Sequence, residues 1–278
     1  MKTSIFSSLG QLIRKLGKHL KYALLILALA VLSCGAMAAW IFWDLPDTTL
    51  LRNRSLTMTI EVPDWQGEIH SFSVGPKNPY WAPLDSIPDE MKWAVIVAED
   101  ANFYEHSGID VPALKEAIKY DLKRKRLALG ASTITQQLAK NLYLSRDKSI
   151  RRKLREMVLA QRLEANLTKG RILELYLNVV ELGPLVYGVG HGSRYYFDKP
   201  VSQLTPAEAA FLAAILPGPR IAFNPETKAA KVRQRAARLL KLLGLRNILS
   251  QAEINDALIE LDQLGGQQAP PSLPPAEL

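Results

Sequence analysis

Three stretches of this chain place acid–base and anion-binding residues at spacings that a helix would bring together. In AVIVAEDANFYEHSGID, an apolar run from Met91 to Ala98 delivers two adjacent acids, Glu99 and Asp100, followed by Phe103, His106 and Gly108. Neighbouring helix positions do not face each other, so the two carboxylates do not serve one site equally. A carboxylate ending an apolar run sits where burial raises its pKa toward that of a useful general base. The pattern also fits a solvated helix end with His106 as a hydrogen-bonded structural residue. In LGASTITQQLAKNLYLS, Gly130, Ser132 and Thr133 open a helix on which Thr133, Gln136, Gln137 and Lys140 share a face. Amides at a helix N-terminus with a lysine one or two turns on make a cradle for an oxyanion or phosphate. The Walker order GxxxxGK[ST] is absent, and a simply capped helix with solvated glutamines is the competing reading. In RDKSIRRKLREMVLAQRLE, Lys148, Arg152 and Glu156 lie four apart, with Lys153 and Arg155 broadening the positive field. Single pairs at this spacing are ordinary and worth about 0.2–0.5 kcal/mol. Their accumulation suits an anionic headgroup or a pyrophosphate.

Composition limits what these groups serve. With 278 residues, 48% apolar and 22% charged, the chain is not disordered, and one cysteine excludes a disulfide framework or a cysteine-based zinc site. The net charge of +8 is unevenly placed: residues 1–21 carry +5 and residues 115–156 carry +9, leaving −6 elsewhere. Each basic block needs its own explanation.

The first block precedes YALLILALAVLSCGAMAAWIFW, an uncharged run at 22–43 whose 22 residues span roughly 33 Å as a helix, enough for a hydrocarbon core of about 30 Å. The flanking Lys and Arg keep the N-terminus in the cytoplasm and export the rest, so nucleic acid is not expected as the partner of the second block. Ala36-Met37-Ala38 and Ser33-Cys34 loosely resemble cleavage sites. The apolar run continues past both, which favours a retained anchor. Beyond a cytoplasmic segment at 1–21 and the anchor at 22–43, residues 44–80 read as a membrane-proximal linker. It contains a hairpin in which Met58-Ile60-Val62 and His70-Phe72-Val74 alternate with polar residues. From about residue 89 the pattern is helical. Ser149 caps one helix, which Gly170 would end. Thr205-Pro206-Ala207-Glu208 is a capping box, Pro217-Gly218-Pro219 is a break, and Lys228 to Leu243 is a basic amphipathic segment. Residues 265–278 read as a disordered tail.

Five ordered motifs then carry a resemblance. They are EDxxFxxHxG at 99–108, GxSTITQQxxKN at 130–141, RKxxExxxAxxLE at 152–164, ILExYLNxxxxGxxxxG at 172–188 with YYF at 195–197, and LTPAEAAxLAxxLPxP at 204–219. Together they resemble the penicillin-binding-protein glycosyltransferase family, the peptidoglycan glycosyltransferases, in its monofunctional form without a transpeptidase domain. The resemblance implies a mainly α fold over 81–264: a lysozyme-like helical head lobe with a smaller membrane-associated jaw at about 111–129, after one transmembrane helix and the short hairpin. It implies that Glu99 is the general base on the acceptor lipid II 4-hydroxyl, which attacks C1 of the donor's lipid-diphosphate-linked MurNAc with inversion. Glu156 would act near the departing pyrophosphate, by assisting it or by holding a divalent cation (Mg or Mn); no organic cofactor is implied.

By the same resemblance Lys140, Arg152 and Lys148 neutralise the diphosphate. Ser132, Thr133, Gln136, Gln137 and Asn141 shape the donor site, and the substrate-binding set also takes in Asp100 and, as shell residues that with Gly108 fix the loop after Glu99, Phe103 and His106. Implied partners are lipid II, the growing glycan chain, the bacterial cytoplasmic (inner) membrane and, beyond these, penicillin-binding transpeptidases and division or elongation proteins. The catalytic domain would be periplasmic. The chain departs from the family pattern at Ala131, at His191-Gly192 and at Lys148, where an arginine is frequent. A lysozyme-like hydrolase and an inactive cell-wall scaffold of the same fold are the alternatives. The hydrolase must protonate a poor sugar-oxygen leaving group and has no use for a +9 segment.

Overall fold

The basic block and the apolar run form one helix, α1 (Lys2–Phe42), because no proline interrupts them. Its span-length apolar part is His19–Phe42, three residues earlier at the start than the sequence places the anchor, with a mean hydropathy of 2.4. Met1–Leu45 makes one compact unit and Pro46–Leu278 a second. The structure is a computed structural model, and it describes residues 2–64, 66–124, 132–145, 147 and 149–264. The expected tail at 265–278 lies outside them.

Alternation builds the hairpin as expected. β1 (Met58–Pro63) pairs antiparallel with β2 (Ile69–Val74), Ile60 opposite Phe72, and Ile60, Val62, Phe72 and Val74 are buried on one face. Asp64 holds the turn by accepting from the Gln66 and Glu68 amides at 2.8 and 3.0 Å. The buried face packs onto the body, with Phe72 and Tyr187 ring centroids 5.2 Å apart.

The body is helical: α2 (Asp89–Glu99), α3 (Val111–Arg124), α4 (Ile134–Tyr143), α5 (Ile150–Asn166), α6 (Lys169–Val179), α7 (Val189–Phe197), α8 (Pro206–Ile215), α9 (Ala229–Leu245) and α10 (Gln251–Leu264). Two short strands, β3 (Glu181–Gly183) and β4 (Val186–Tyr187), were not signalled by sequence pattern. The Thr205 capping box opens α8, and Ser149 caps α5 by accepting from the Arg152 amide. Gly170 does not end α5. That helix stops at Asn166, and the Thr168 side chain accepts from the Arg171 amide and starts α6 at once, placing Gly170 in its first turn.

α6 is the central post, buried from Arg171 to Val179. It also fastens residues 46–88 to the helices. Arg171 ion-pairs with Glu174 inside the protein and donates to the Leu51 carbonyl at 3.0 Å, while Glu174 accepts from the Leu84 amide at 3.2 Å. Asn178 exchanges two 2.8 Å bonds with the backbone of Ala82, and Arg52 donates to Asn166 twice, at 2.8 Å each. The segment expected as a linker is therefore, from Pro46 onward, part of the second unit.

Removing one partner of a buried pair leaves an uncompensated charge. Glu174→Ala is expected to destabilise the full chain in detergent by about 3–5 kcal/mol in urea unfolding, and a loss below about 1 kcal/mol would show that this pair does not tie the segment down.

Candidate active site

Glu99 is the last residue of α2, and the helix delivers it to the interior because Met91, Ala94, Val95 and Ile96 pack its apolar face against α8 and α9. Its carboxylate is 12% exposed. Gln137 Nε2 donates to Oε2 at 2.9 Å, and Arg235 Nη2 lies 3.6 Å from Oε1. Burial, the largest influence, raises the Glu99 pKa above the ordinary glutamate value against the lowering effects of Gln137, Arg235 and Lys140.

The orientation of Gln137 is itself determined. Burial pushes the Tyr176 phenol well above the usual tyrosine range, so it stays protonated and donates to Gln137 Oε1 at 3.1 Å. That leaves the Gln137 amide nitrogen to face Glu99.

Asp100, the C-cap of α2, turns the other way and is a joint. Its Oδ2 accepts from the Ile134 amide at the start of α4 at 2.9 Å, and its Oδ1 lies 2.9 Å from His106 Nε2. Phe103 is fully buried beneath the loop, with Lys169 Nζ 4.3 Å from its ring centroid. Gly108 (φ +86°) lets the loop run against α5, where a Cβ would meet the Ala160 carbonyl at 3.1 Å. The Gly108 carbonyl accepts from Thr133 Oγ1 at 2.7 Å. Thr133 and Gln136 close a reciprocal capping box and are both buried.

A second cluster forms on α5. Glu156 is buried, 3% exposed, between two cations: Arg152 Nη1 at 2.7 Å from Oε2, and Lys153 Nζ on Oε1. Lys153 also donates to Ser132 Oγ at 2.8 Å, which ties this cluster to the loop entering α4. Arg152 Nε donates to the Asp147 carbonyl at 2.6 Å.

The sequence-predicted residues therefore divide. Glu99, Gln137 and Lys140 gather at the end of α2, and Arg152, Glu156 and Ser132 gather around α5. Asp100, Thr133 and Gln136 of the expected substrate-binding set are turned inward and bonded to the scaffold, and Phe103 and His106, expected to fix the loop after Glu99, are packed and bonded within it. Asn141 is half-buried on α4, and Lys148 lies outside the described residues. Sequence reading had Lys153 only as part of a positive field and Tyr176 only as a motif letter, and it did not single out Arg235. Lys153 had a signal, its spacing of three from Glu156, whereas Arg235 is distant in sequence and marked only by a basic amphipathic helix.

A divalent cation does not fit at Glu156. Both oxygens already accept from cationic donors, and among the described residues no three His, Cys, Asp or Glu side chains group to complete a metal site. The donor set suits an anion.

The family model described as transglycosylase matches residues 66–243. The chain is 42% identical over 168 residues to a biosynthetic peptidoglycan transglycosylase of Nitrosomonas eutropha, covering 60% of this chain and 68% of that protein. It is 44% identical over 161 residues to one of Thiobacillus denitrificans, covering 58% and 68%. It is 38% identical over 223 residues to penicillin-binding protein 4 of Bacillus subtilis, covering 79% of this chain but only 35% of that longer relative.

A carboxylate whose pKa is raised by folding penalises the folded state where it is ionised in both states, and the penalty vanishes below its unfolded pKa. Glu99→Gln, which keeps an acceptor for Gln137, is expected to unfold at a higher temperature than the parent near pH 8. That advantage should shrink as pH falls to and below the ordinary glutamate value. Thermal unfolding across that range checks it, and equal midpoints at pH 8 would contradict it.

Proposed function

The chain belongs to the transglycosylase family, and so to the glycosyltransferases that build peptidoglycan, and from that premise we propose that it polymerises lipid II into glycan strands. One observation carries the reading: a desolvated carboxylate, Glu99, stands at the end of an apolar helix, in the same domain as a carboxylate clasped by cations.

A sugar hydroxyl is a weak nucleophile and needs a base, whereas a diphosphate leaves already charged and needs positive neighbours more than a proton. Glu99 takes the proton of the acceptor GlcNAc 4-hydroxyl as that oxygen bonds to C1 of the donor MurNAc. The C1–O bond to the lipid diphosphate breaks on the opposite face, which inverts C1. Gln137 and Tyr176 hold the base in orientation, and Lys140 lies close enough to act on its charge. Arg152 and Lys153 receive the negative charge of the departing diphosphate, with Glu156 fixing both in place and Ser132 steadying Lys153. The family resemblance adds Lys148, four residues before Arg152 in sequence, to the same cationic set. Asn141, one residue after Lys140 on α4, lines the donor side. Asp100, Phe103, His106, Thr133 and Gln136 act through the scaffold by fixing where α2 meets α4.

The helix α3 exposes Val111, Ile118 and Leu122 among Lys115, Lys119 and Lys123, a composition suited to the headgroup layer in which a lipid-linked substrate resides. The length of α1 and the Lys and Arg before it support a reading in which α1 is a single span with a cytoplasmic N-terminus and the domain lies on the far side of the bacterial inner membrane, where transpeptidases and division or elongation proteins would meet it.

Labelled lipid II incubated with the full chain in detergent is expected to yield long glycan strands, and Glu99→Gln to lose activity by about 10²–10⁴-fold. No polymer from the parent chain would sink the proposal, and cleavage of finished strands instead of growth would support the hydrolase.

A further inference from the structure

Gln137 meets one oxygen of Glu99, and the other is approached from α9. Arg235 Nη2 lies 3.6 Å from Glu99 Oε1 and donates to the Ala98 carbonyl at 3.2 Å. Its guanidinium lies 5.3 Å from the Phe223 ring centroid, and its side chain is 28% exposed. Further along the same element, Arg246 caps α9 and donates to the Ala101 carbonyl at 2.7 Å, with its guanidinium 5.8 Å from the Trp93 ring centroid. Two arginines from one helical segment thus grip the backbone on either side of Glu99 and Asp100.

We propose that Arg235 is a positioning residue that locks the Glu99 carboxylate against the end of α2 and supplies its counter-charge on the oxygen that Gln137 leaves open. The inference rests on Glu99 being the base. The last carbonyls of a helix have no partner within it, and Ala98 is one of them. Both approaches are made by Arg235 Nη2, so one guanidinium nitrogen donates to this carbonyl and faces the neighbouring carboxylate, while the body of the guanidinium lies near the Phe223 ring, a stacking contact that an ammonium lacks. Phe223 lies against the guanidinium. Arg246 does the same for the far side of the turn without approaching the carboxylate.

The charged and titratable groups acting on Glu99 are Asp100 beside it, Lys140 on α4, Tyr176 on α6 and Arg235 on α9. Asp100 raises the Glu99 pKa, while Lys140 and Arg235 lower it. Loss of Arg235 therefore moves Glu99 further up. A base works ionised, so the acid side of the rate profile moves toward higher pH.

The test is the pH profile of kcat/KM for lipid II polymerisation by the full chain in detergent. Arg235→Met is expected to shift the acid limb to higher pH and to lower kcat by about 10–100-fold, with the KM for lipid II little changed. Arg235→Lys should return the limb toward its parental position while recovering only part of kcat. Arg233→Met, on the same helix but paired with Asp262 at 3.4 Å, should leave the limb in place. A second readout needs no turnover: Arg235→Met should destabilise the parent at pH 8 more than it destabilises the Glu99→Gln variant, because only the parent carries the charge to be countered.

An unmoved limb in folded Arg235→Met, or equal destabilisation in both backgrounds, overturns the inference. If Arg235→Met does not fold, Arg235→Lys decides: full parental kcat in it overturns the requirement for a guanidinium, and a partial loss with a near-parental limb supports it. Undiminished polymerisation by Glu99→Gln would instead remove the base assignment itself.

Discussion

Everything at this site follows from taking one carboxylate out of water. Glu99 is carried inward by the apolar face of α2, and an ion so placed loses hydration that its neighbours must replace. Gln137 donates to one oxygen, Arg235 faces the other at 3.6 Å, and Lys140 acts on its charge from a distance. Together they hold the carboxylate without matching water, which is why its affinity for a proton rises. A fully exposed glutamate would be too weak a base for a sugar hydroxyl, and one buried without partners would never ionise.

Keeping those partners in place is the work of the surrounding scaffold. Asp100, next to Glu99 in sequence and expected with the substrate-binding residues, links the end of α2 to the first amide of α4, the helix that carries Gln137 and Lys140. The Thr133 and Gln136 box fixes where α4 begins, and Thr133 also reaches the Gly108 carbonyl, so the loop from α2 closes onto the same point. On the other side of α4, Tyr176 sets the orientation of Gln137 from α6, the helix that binds residues 46–88 to the body. The alignment of Glu99 therefore depends on contacts spread over much of the domain.

What the sequence revealed was largely what local physics decides. The hairpin register follows from alternation, the starts of α5 and α8 from their capping residues, and the Arg152–Glu156 pair from helical spacing. Glu99 stood out because it ends an apolar run. The direction of a side chain at a helix start is not local: Thr133 and Gln136 share the spacing of Gln137 and Lys140 but turn into the cap. Gly170 misled because a C-terminal glycine and a first-turn glycine look alike until Thr168 is seen to cap. Arg235 and Tyr176 reach the site from α9 and α6 through tertiary packing, which no window of sequence contains.

The two glutamates also separate the transferase from a hydrolase on chemical grounds. In a glycosidase pair, one carboxyl group must donate a proton to the leaving sugar oxygen. Glu156 is not arranged to donate: both its oxygens accept, one from a guanidinium and one from an ammonium. Such a group is suited to fixing cations in place, and cations so fixed are what a departing diphosphate requires. The same arrangement would do little for a neutral sugar alcohol, whose departure needs a proton that Arg152 and Lys153 would have to surrender at the cost of their own pairing. The two carboxylates are thus made different by their neighbours, one by burial beside an amide and an arginine, the other by enclosure between charges, and the proposed division into base and leaving-group chemistry rests on that difference.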